Sequence, residues 1–247
     1  MTTTDKIALA LVAALLLTMP LYAIVARGRA LDPEIAKRPT TVLFGYWVRD
    51  WLMWVIGPME RAFVRAGITP DFFNILGALL GLAAGMALAS GALSLGGWLI
   101  LLGGAADIFD GRIARARGLA NDYGAFLDST LDRFAETFTF IGLAHYFSHW
   151  TWPTMATALA LGASLLVSYT RARGESVGVS QKGGLMQRAE RLVLLALGAL
   201  LDGTVTAAFD WRPGTLLAGV TAFIGVAAMG TALYRTTSIA GVLRKRG

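Results

Sequence analysis

The chain has no cysteine and only two histidines among its 247 residues. The first absence excludes a disulfide framework, a thiolate nucleophile and cysteine-ligated zinc. The second leaves carboxylates as the side chains that could hold a metal ion in any number. Charge is scarce as well. Asp, Glu, Lys and Arg make up 15% of the chain while 55% is hydrophobic, against about 25% charged residues in soluble domains. Such a chain reads as a membrane bundle, although its length alone would allow one or two domains. The formal net charge is +6. The basic residues sit in the gaps between apolar runs, so topology and anionic lipid headgroups account for them, and no nucleic-acid partner is expected.

A membrane span needs roughly 20 mostly apolar residues. Seven stretches qualify: about 7–26, 72–92, 95–113, 124–147, 152–172, 190–209 and 214–234. Gly77, Gly81 and Gly85 repeat every four residues within the second. A stripe of small residues lets membrane helices approach closely, and an ordinary helix contact is its expected use. The gaps sort by charge. The stretch 27–71, the turn 114–123, the loop 173–189 and the C-terminal tail are rich in Arg and Lys, while the gaps 93–94 and 148–151 have none and 210–213 has only Arg212. This alternation places the basic loops and the C-terminus in the cytoplasm and predicts a multi-pass protein of the cell (inner) membrane.

The division expected is a hydrophobic anchor over 1–26, a cytoplasmic linker with an interfacial helix over 27–66, and a six-helix domain over 67–247. The first segment carries the marks of two things. Lys6 followed by Ile7–Met19 could be the apolar region of a signal peptide, but no small-residue cleavage site precedes Arg27 and the apolar run continues to Ala26; a retained anchor is favoured. Between Phe44 and Ala66, Trp47, Trp51, Trp54 and Phe63 mix with Arg49, Asp50, Glu60, Arg61 and Arg65. That mixture suits a helix lying in the interface, aromatics toward lipid, or an ordinary juxtamembrane linker.

The strongest signal is acidic. Asp107 and Asp110 are three residues apart, and Asp128 and Asp132 are four apart on the next span. Residues at those spacings share a helix face. The turn between the spans is short, so the two helices are expected as antiparallel neighbours whose carboxylates converge near the cytoplasmic end. Each charge inside a bilayer costs at least about 2.5–3.5 kcal/mol, and mutual repulsion adds to it. A cation must compensate. Arg115 and Arg133 could supply part, and an oxygen-only donor set suits Mg²⁺ or Mn²⁺. A salt-bridge network or an ion-transport path is the other reading of such acids; their placement at one end of the spans argues against a path across the bilayer. Gly111 leaves room for a ligand beside the acids, and Arg115 can reach a phosphate. His145 and His149 fall at the opposite end, as interfacial residues.

The pattern D-x2-D-G-x2-A-R-x8-G-x3-D-x3-D, with eight fixed positions between Asp107 and Asp132, resembles the signature of the CDP-alcohol phosphotransferase family. The resemblance covers the chain from about residue 60 onward. It implies an all-α, six-helix membrane bundle, usually a homodimer, that transfers a phosphatidyl or phospho-alcohol group from a CDP-alcohol to a second alcohol and releases CMP. It also implies Asp107, Asp110 and Asp128 as ligands to two divalent ions, Asp132 as general base and further ligand, and Gly111 and Arg115 as contacts to the CDP moiety. The donor implied here is CDP-diacylglycerol, with its acyl chains among the membrane lipids.

The segment Thr69-Pro70-Asp71 with Asn74 resembles the entry to the first core helix of the family, and Asp71 is similar to the form in phosphatidylinositol phosphate synthases. Asn74 and Asn121 stand where those enzymes tend to carry Thr; both can still hydrogen-bond a nucleotide. The stretches Ser168-Tyr-Thr-Arg171-Ala-Arg173-Gly-Glu175 and Gln187-Arg188-Ala-Glu190-Arg191 resemble the same synthases. The resemblance implies that Ser168, Arg171, Arg188 and Arg235 surround a phosphate on the acceptor. A phosphorylated polyol is therefore expected, inositol phosphate first and glycerol 3-phosphate second.

Overall fold

The computed structural model of the protein describes residues 3–27 and 45–246. Most of the basic linker that begins at residue 27, with Arg29, Lys37 and Arg38, lies outside the described residues. Eight helices are described: α1 Thr3–Val25, α2 Tyr46–Arg65, α3 Pro70–Ala89, α4 Leu93–Ala116, α5 Asp122–Tyr146, α6 Thr151–Ser176, α7 Arg188–Ala208 and α8 Thr215–Arg244. Each expected span has its helix, and α8 runs ten residues past its apolar stretch, 214–234, to Arg244. Among the described residues, six helices are long and apolar enough to cross a membrane: α1, α3, α4, α6, α7 and α8. The seventh expected span is α5, which is 25 residues long. Residues 122–136 of it hold Asp122, Asp128, Asp132, Arg133 and Glu136, so its apolar run free of acids and arginines is confined to 137–146.

Local chemistry fixes the ends that matter. Pro70 follows the N-cap residue Thr69 at the start of α3, where its missing N–H removes nothing a helix needs. The α4–α5 turn closes on Gly118, whose φ of 64° lies in the left-handed region that glycine enters without a Cβ clash. Leu119 N–H then donates to Ala114 C=O at 2.8 Å. Asn121 starts α5 by accepting the Gly124 N–H at 2.8 Å, as an N-cap should.

The small-residue stripe of α3 is a packing device, as expected. A Cβ on Gly77 would meet Gly103 O and Ala106 Cβ of α4 at 3.7 and 3.8 Å. On the other side, a Cβ on Gly85 would run into the backbone of Phe138, and one on Gly142 of α5 into the backbone of Gly85. So α3 packs closely against both α4 and α5, whereas α4 and α5 scarcely touch each other. The short turn had suggested direct neighbours. The bulk of α3 and the glycine contacts instead splay the pair and leave a cleft between them. α7 closes that cleft by packing on α4, and α6 and α8 pair along their length. The principal core joins Leu88, Ile100, Phe140, Leu143, Leu195 and Leu217.

α2 departs from expectation in where its aromatics point. Trp47 is exposed, but Trp51 is buried and donates Nε1–H to Thr18 Oγ1 of α1 at 2.8 Å. Phe63 packs on Phe73 and Phe109, centroids 5.1 and 5.0 Å apart. These side chains face protein, because the back of α4 offers an apolar surface that α2 covers. α1 is tied at both ends. Tyr22 O–H donates to Asp50, and Ser94 Oγ donates to Asp5 Oδ1 at 2.7 Å.

Candidate metal centre and active site

The acids of α4 and α5 meet at the head of the cleft. One carboxylate oxygen from each of Asp107, Asp110 and Asp128 lies within 4.8 Å of the other two. Asp132 stands beside this trio. Its Oδ1 is 2.7 Å from Arg188 Nη2, and Nη1 of the same guanidinium is 2.8 Å from Asp107 Oδ1. Asp110 is 4% exposed, and its Oδ1 accepts from the Gly111 N–H. Its Oδ2 and Asp128 Oδ1 are buried with no hydrogen-bond partner. Buried carboxylate oxygens left in that way are expensive, and a cation resolves them. The donor chemistry, all oxygen and within reach of a common centre, fits a hard divalent ion such as Mg²⁺ or Mn²⁺.

A cationic frame stands over the acids. Arg191, 2% exposed, donates Nε–H to Glu136 Oε1 at 2.8 Å, and its Nη2 lies at 2.8 Å from the same oxygen. Arg133 Nε is 3.8 Å from Glu136 Oε2 and its Nη2 is 3.7 Å from Asp132 Oδ2. Its Nη1 donates to Ser168 Oγ on α6. Arg188, Arg191 and Glu136, with Asp107, Asp110 and Asp132, border a cavity of about 60 Å³, whose inner wall is apolar, with Leu99, Ile100 and Leu195. That volume holds several waters or a group the size of a phosphate.

The remaining expected residues fall into two sets. Asn74 is 7% exposed and lines the cavity, one helical turn along from Asp71 at the start of α3. Arg115 folds back over Gly111, where a Cβ would meet its Nη1 at 3.1 Å. Ser168 and Arg188 join the cluster through the bonds above. The others are engaged elsewhere. Asn121 Oδ1 caps α5. Arg171 is exposed and pairs with Glu175 at 3.1 Å within α6. Arg235 is 3% exposed, and its guanidinium donates to the carbonyls of Gly183, Val167 and Lys182 at 2.9, 2.8 and 3.3 Å. It stitches the 182–183 loop to α6. His145 and His149 are exposed at the far end, as expected.

Glu136 and Arg191 were not singled out from sequence. Both carried a signal: Glu136 continues the Asp128, Asp132 spacing by one more turn, and Arg191 follows Arg188 by three, each on the face already assigned to the site.

A family profile described as CDP-alcohol phosphatidyltransferase matches residues 67–239. The chain is similar to the phosphatidylinositol phosphate synthase of Mycobacteroides abscessus, 35% identical over 164 residues, which cover 64% of this chain and 74% of that protein. It is also similar to the archaetidylinositol phosphate synthase of Methanothermobacter thermautotrophicus, 37% identical over 149 residues, 58% of this chain and 74% of that protein. Among solved structures it resembles Mycobacterium tuberculosis phosphatidylinositol phosphate synthase with CDP-DAG bound, TM-score 0.64, 30% identity, covering 74% of this chain and 92% of that one. The same enzyme in complex with manganese and citrate gives a TM-score of 0.65, 30% identity and coverage of 74% and 87%.

Proposed function

This chain belongs to the CDP-alcohol phosphatidyltransferase family, and from that premise we propose that it transfers the phosphatidyl group of CDP-diacylglycerol to a hydroxyl of a phosphorylated polyol, inositol phosphate before glycerol 3-phosphate, releasing CMP. It is a multi-pass membrane transferase. The basic turns at 112–117 and 182–191 and the tail at 244–246 lie at the end of the bundle that carries the acids. By the positive-inside rule that end faces the cytoplasm, where a water-soluble acceptor is available.

The observation that carries the reading is the meeting of carboxylates and guanidiniums around one cavity. Asp107, Asp110 and Asp128, with Asp132, would hold the divalent ions. When bound, two such ions supply charge neutralisation for a diphosphate and its leaving phosphate. Beside the acids, the guanidiniums of Arg133, Arg188 and Arg191 outnumber the carboxylate of Glu136. That excess suits a phosphate monoester, which carries about −1.5 to −2 near neutrality. Arg188 and Ser168 would grip that phosphate by charge-assisted bonds, with Arg171 at the mouth and Arg235 holding the loop that frames it. Asn74, Gly111 and Arg115 would seat the cytidine diphosphate portion, with Asp71 and Asn121 at the rim.

Asp132 accepts the proton of the acceptor hydroxyl. The freed oxygen attacks the phosphorus that bears the lipid. The bond from that phosphorus to the bridging oxygen breaks, and its electron pair leaves with CMP. Arg188, bonded to both Asp107 and Asp132, keeps the base beside the acids and draws the acceptor phosphate toward it. Most of the rate then comes from positioning and fixed charge.

The test is CMP release from CDP-diacylglycerol in Mg²⁺ or Mn²⁺ with a panel of inositol phosphate, glycerol 3-phosphate, inositol and serine. Turnover with inositol phosphate above the others is expected. Turnover confined to the unphosphorylated alcohols overturns the acceptor assignment.

A further inference from the structure

Among the described residues, Glu136 is the one acid in the cavity wall that the transfer chemistry leaves without a task. We propose that it is a positioning residue. It fixes the guanidiniums of Arg191 and Arg133, and through Arg133 the Ser168 hydroxyl, in the arrangement that receives the acceptor's phosphate. The inference rests on the phosphorylated-acceptor reading above and gives Glu136 a role in that site.

The geometry is specific. Glu136 presents one oxygen to two nitrogens of Arg191, both at 2.8 Å, and the other to Arg133 Nε at 3.8 Å. Each arginine is anchored a second time: Arg191 Nη1 on Met186 C=O at 3.4 Å, and Arg133 Nη1 on Ser168 Oγ. A single carboxylate thus couples α5, α6 and α7, the helices that bear Asp132, Ser168 and Arg188. Arg188, bonded to Asp107 and Asp132, lies outside this pairing. Without an anion between them, Arg133 and Arg191 would repel each other in a site with little water, and neither would hold its direction.

Charge and geometry predict opposite outcomes, which makes the proposal testable. If Glu136 only dilutes the positive field, removing its charge tightens phosphate binding. If it positions the frame, removing it weakens binding. Glu136→Gln keeps shape and one acceptor for Arg191, but turns an NH₂ group toward Arg133, donor against donor.

Full-length wild type, Glu136→Gln and Glu136→Asp are compared in detergent or nanodiscs with Mn²⁺. Steady-state CMP release gives the KM for inositol phosphate and for CDP-diacylglycerol. Equilibrium binding of labelled inositol phosphate without donor, where turnover cannot occur, gives a second readout. The Mn²⁺-induced rise in melting temperature confirms that each variant is folded and its acids intact. Expected for Glu136→Gln is an acceptor KM and Kd raised about tenfold or more, as for a lost charged hydrogen bond, with donor KM within about twofold and recovery of most of the affinity in Glu136→Asp. Unchanged or tighter acceptor binding in Glu136→Gln, beside a wild type that uses inositol phosphate, overturns this inference alone. Equal loss toward donor and acceptor reduces Glu136 to a structural residue and overturns it too. A wild type that neither binds nor uses inositol phosphate overturns the proposed function and this inference together.

Discussion

The two ends of the bundle bury Asp202 and Asp110 for different purposes. Asp202 on α7 is fully buried near the end of the bundle away from the acid cluster. Its Oδ2 accepts from Gly214 N–H at 2.7 Å and its Oδ1 from Leu217 N–H at 3.0 Å. It caps α8, whose first N–H groups have no partners of their own. Both of its oxygens are met by backbone N–H groups. At the other end, Asp110 Oδ2 and Asp128 Oδ1 are buried and unmet, with two more aspartates beside them. A carboxylate answered by N–H groups builds the fold. One left open within a cluster of like charges is the kind that a bound cation would satisfy. Burial does not separate the two cases; the accounting of partners does.

The sharpest way to break that contrast is to remove one acid from each end. Asp110→Asn should abolish CMP release, by at least about 10³-fold, and erase the Mn²⁺-induced rise in melting temperature while leaving the metal-free protein at least as stable. Asp202→Ala should do the reverse. Each orphaned N–H costs about 1–3 kcal/mol of stability, read as a lower melting temperature, while kcat per folded molecule is unchanged. If Asp202→Ala abolished catalysis at normal stability, the division between the two ends would fail.

At the acid end, Asp132→Asn should lower kcat by about 10²–10⁴-fold, the range for a general base, and keep binding of the lipid donor and, through the other three aspartates, most of the Mn²⁺ shift. Unchanged turnover would remove it as the base. Chelation with EDTA should stop wild-type turnover and be reversed by Mg²⁺ or Mn²⁺, measured as CMP release; activity persisting in EDTA would sink the metal assignment. The smallest effect is expected at Arg171, which is exposed and already paired with Glu175. Arg171→Ala should raise the acceptor KM severalfold and the donor KM hardly at all. Equal shifts would place it outside the acceptor site.

The sequence was most informative where a rule acts along the chain. Span length, the charge of the loops and the spacing of Asp107, Asp110, Asp128 and Asp132 each depend on residues near in sequence. They pointed to the helices and to the carboxylates that meet at one end of the bundle. The same locality explains the misses. The spacing could not say that α3 would hold α4 and α5 apart, because that depends on Gly85 meeting Gly142 across two helices. Nor could a helical wheel of α2 decide that Trp51 and Phe63 face protein, since the surface they cover belongs to α1 and α4.

What the sequence by itself determined is a membrane bundle with four aspartates at one end, since hydropathy and helical period are properties of single segments. Tertiary structure alone decided which arginines reach those acids. Arg188 and Arg235 look alike in sequence, each a basic residue at the edge of an apolar run. One is drawn to Asp107 and Asp132, while the other is held by three backbone carbonyls. A guanidinium goes to the acceptors that the packing of other helices brings within its reach, and those acceptors lie far away along the chain.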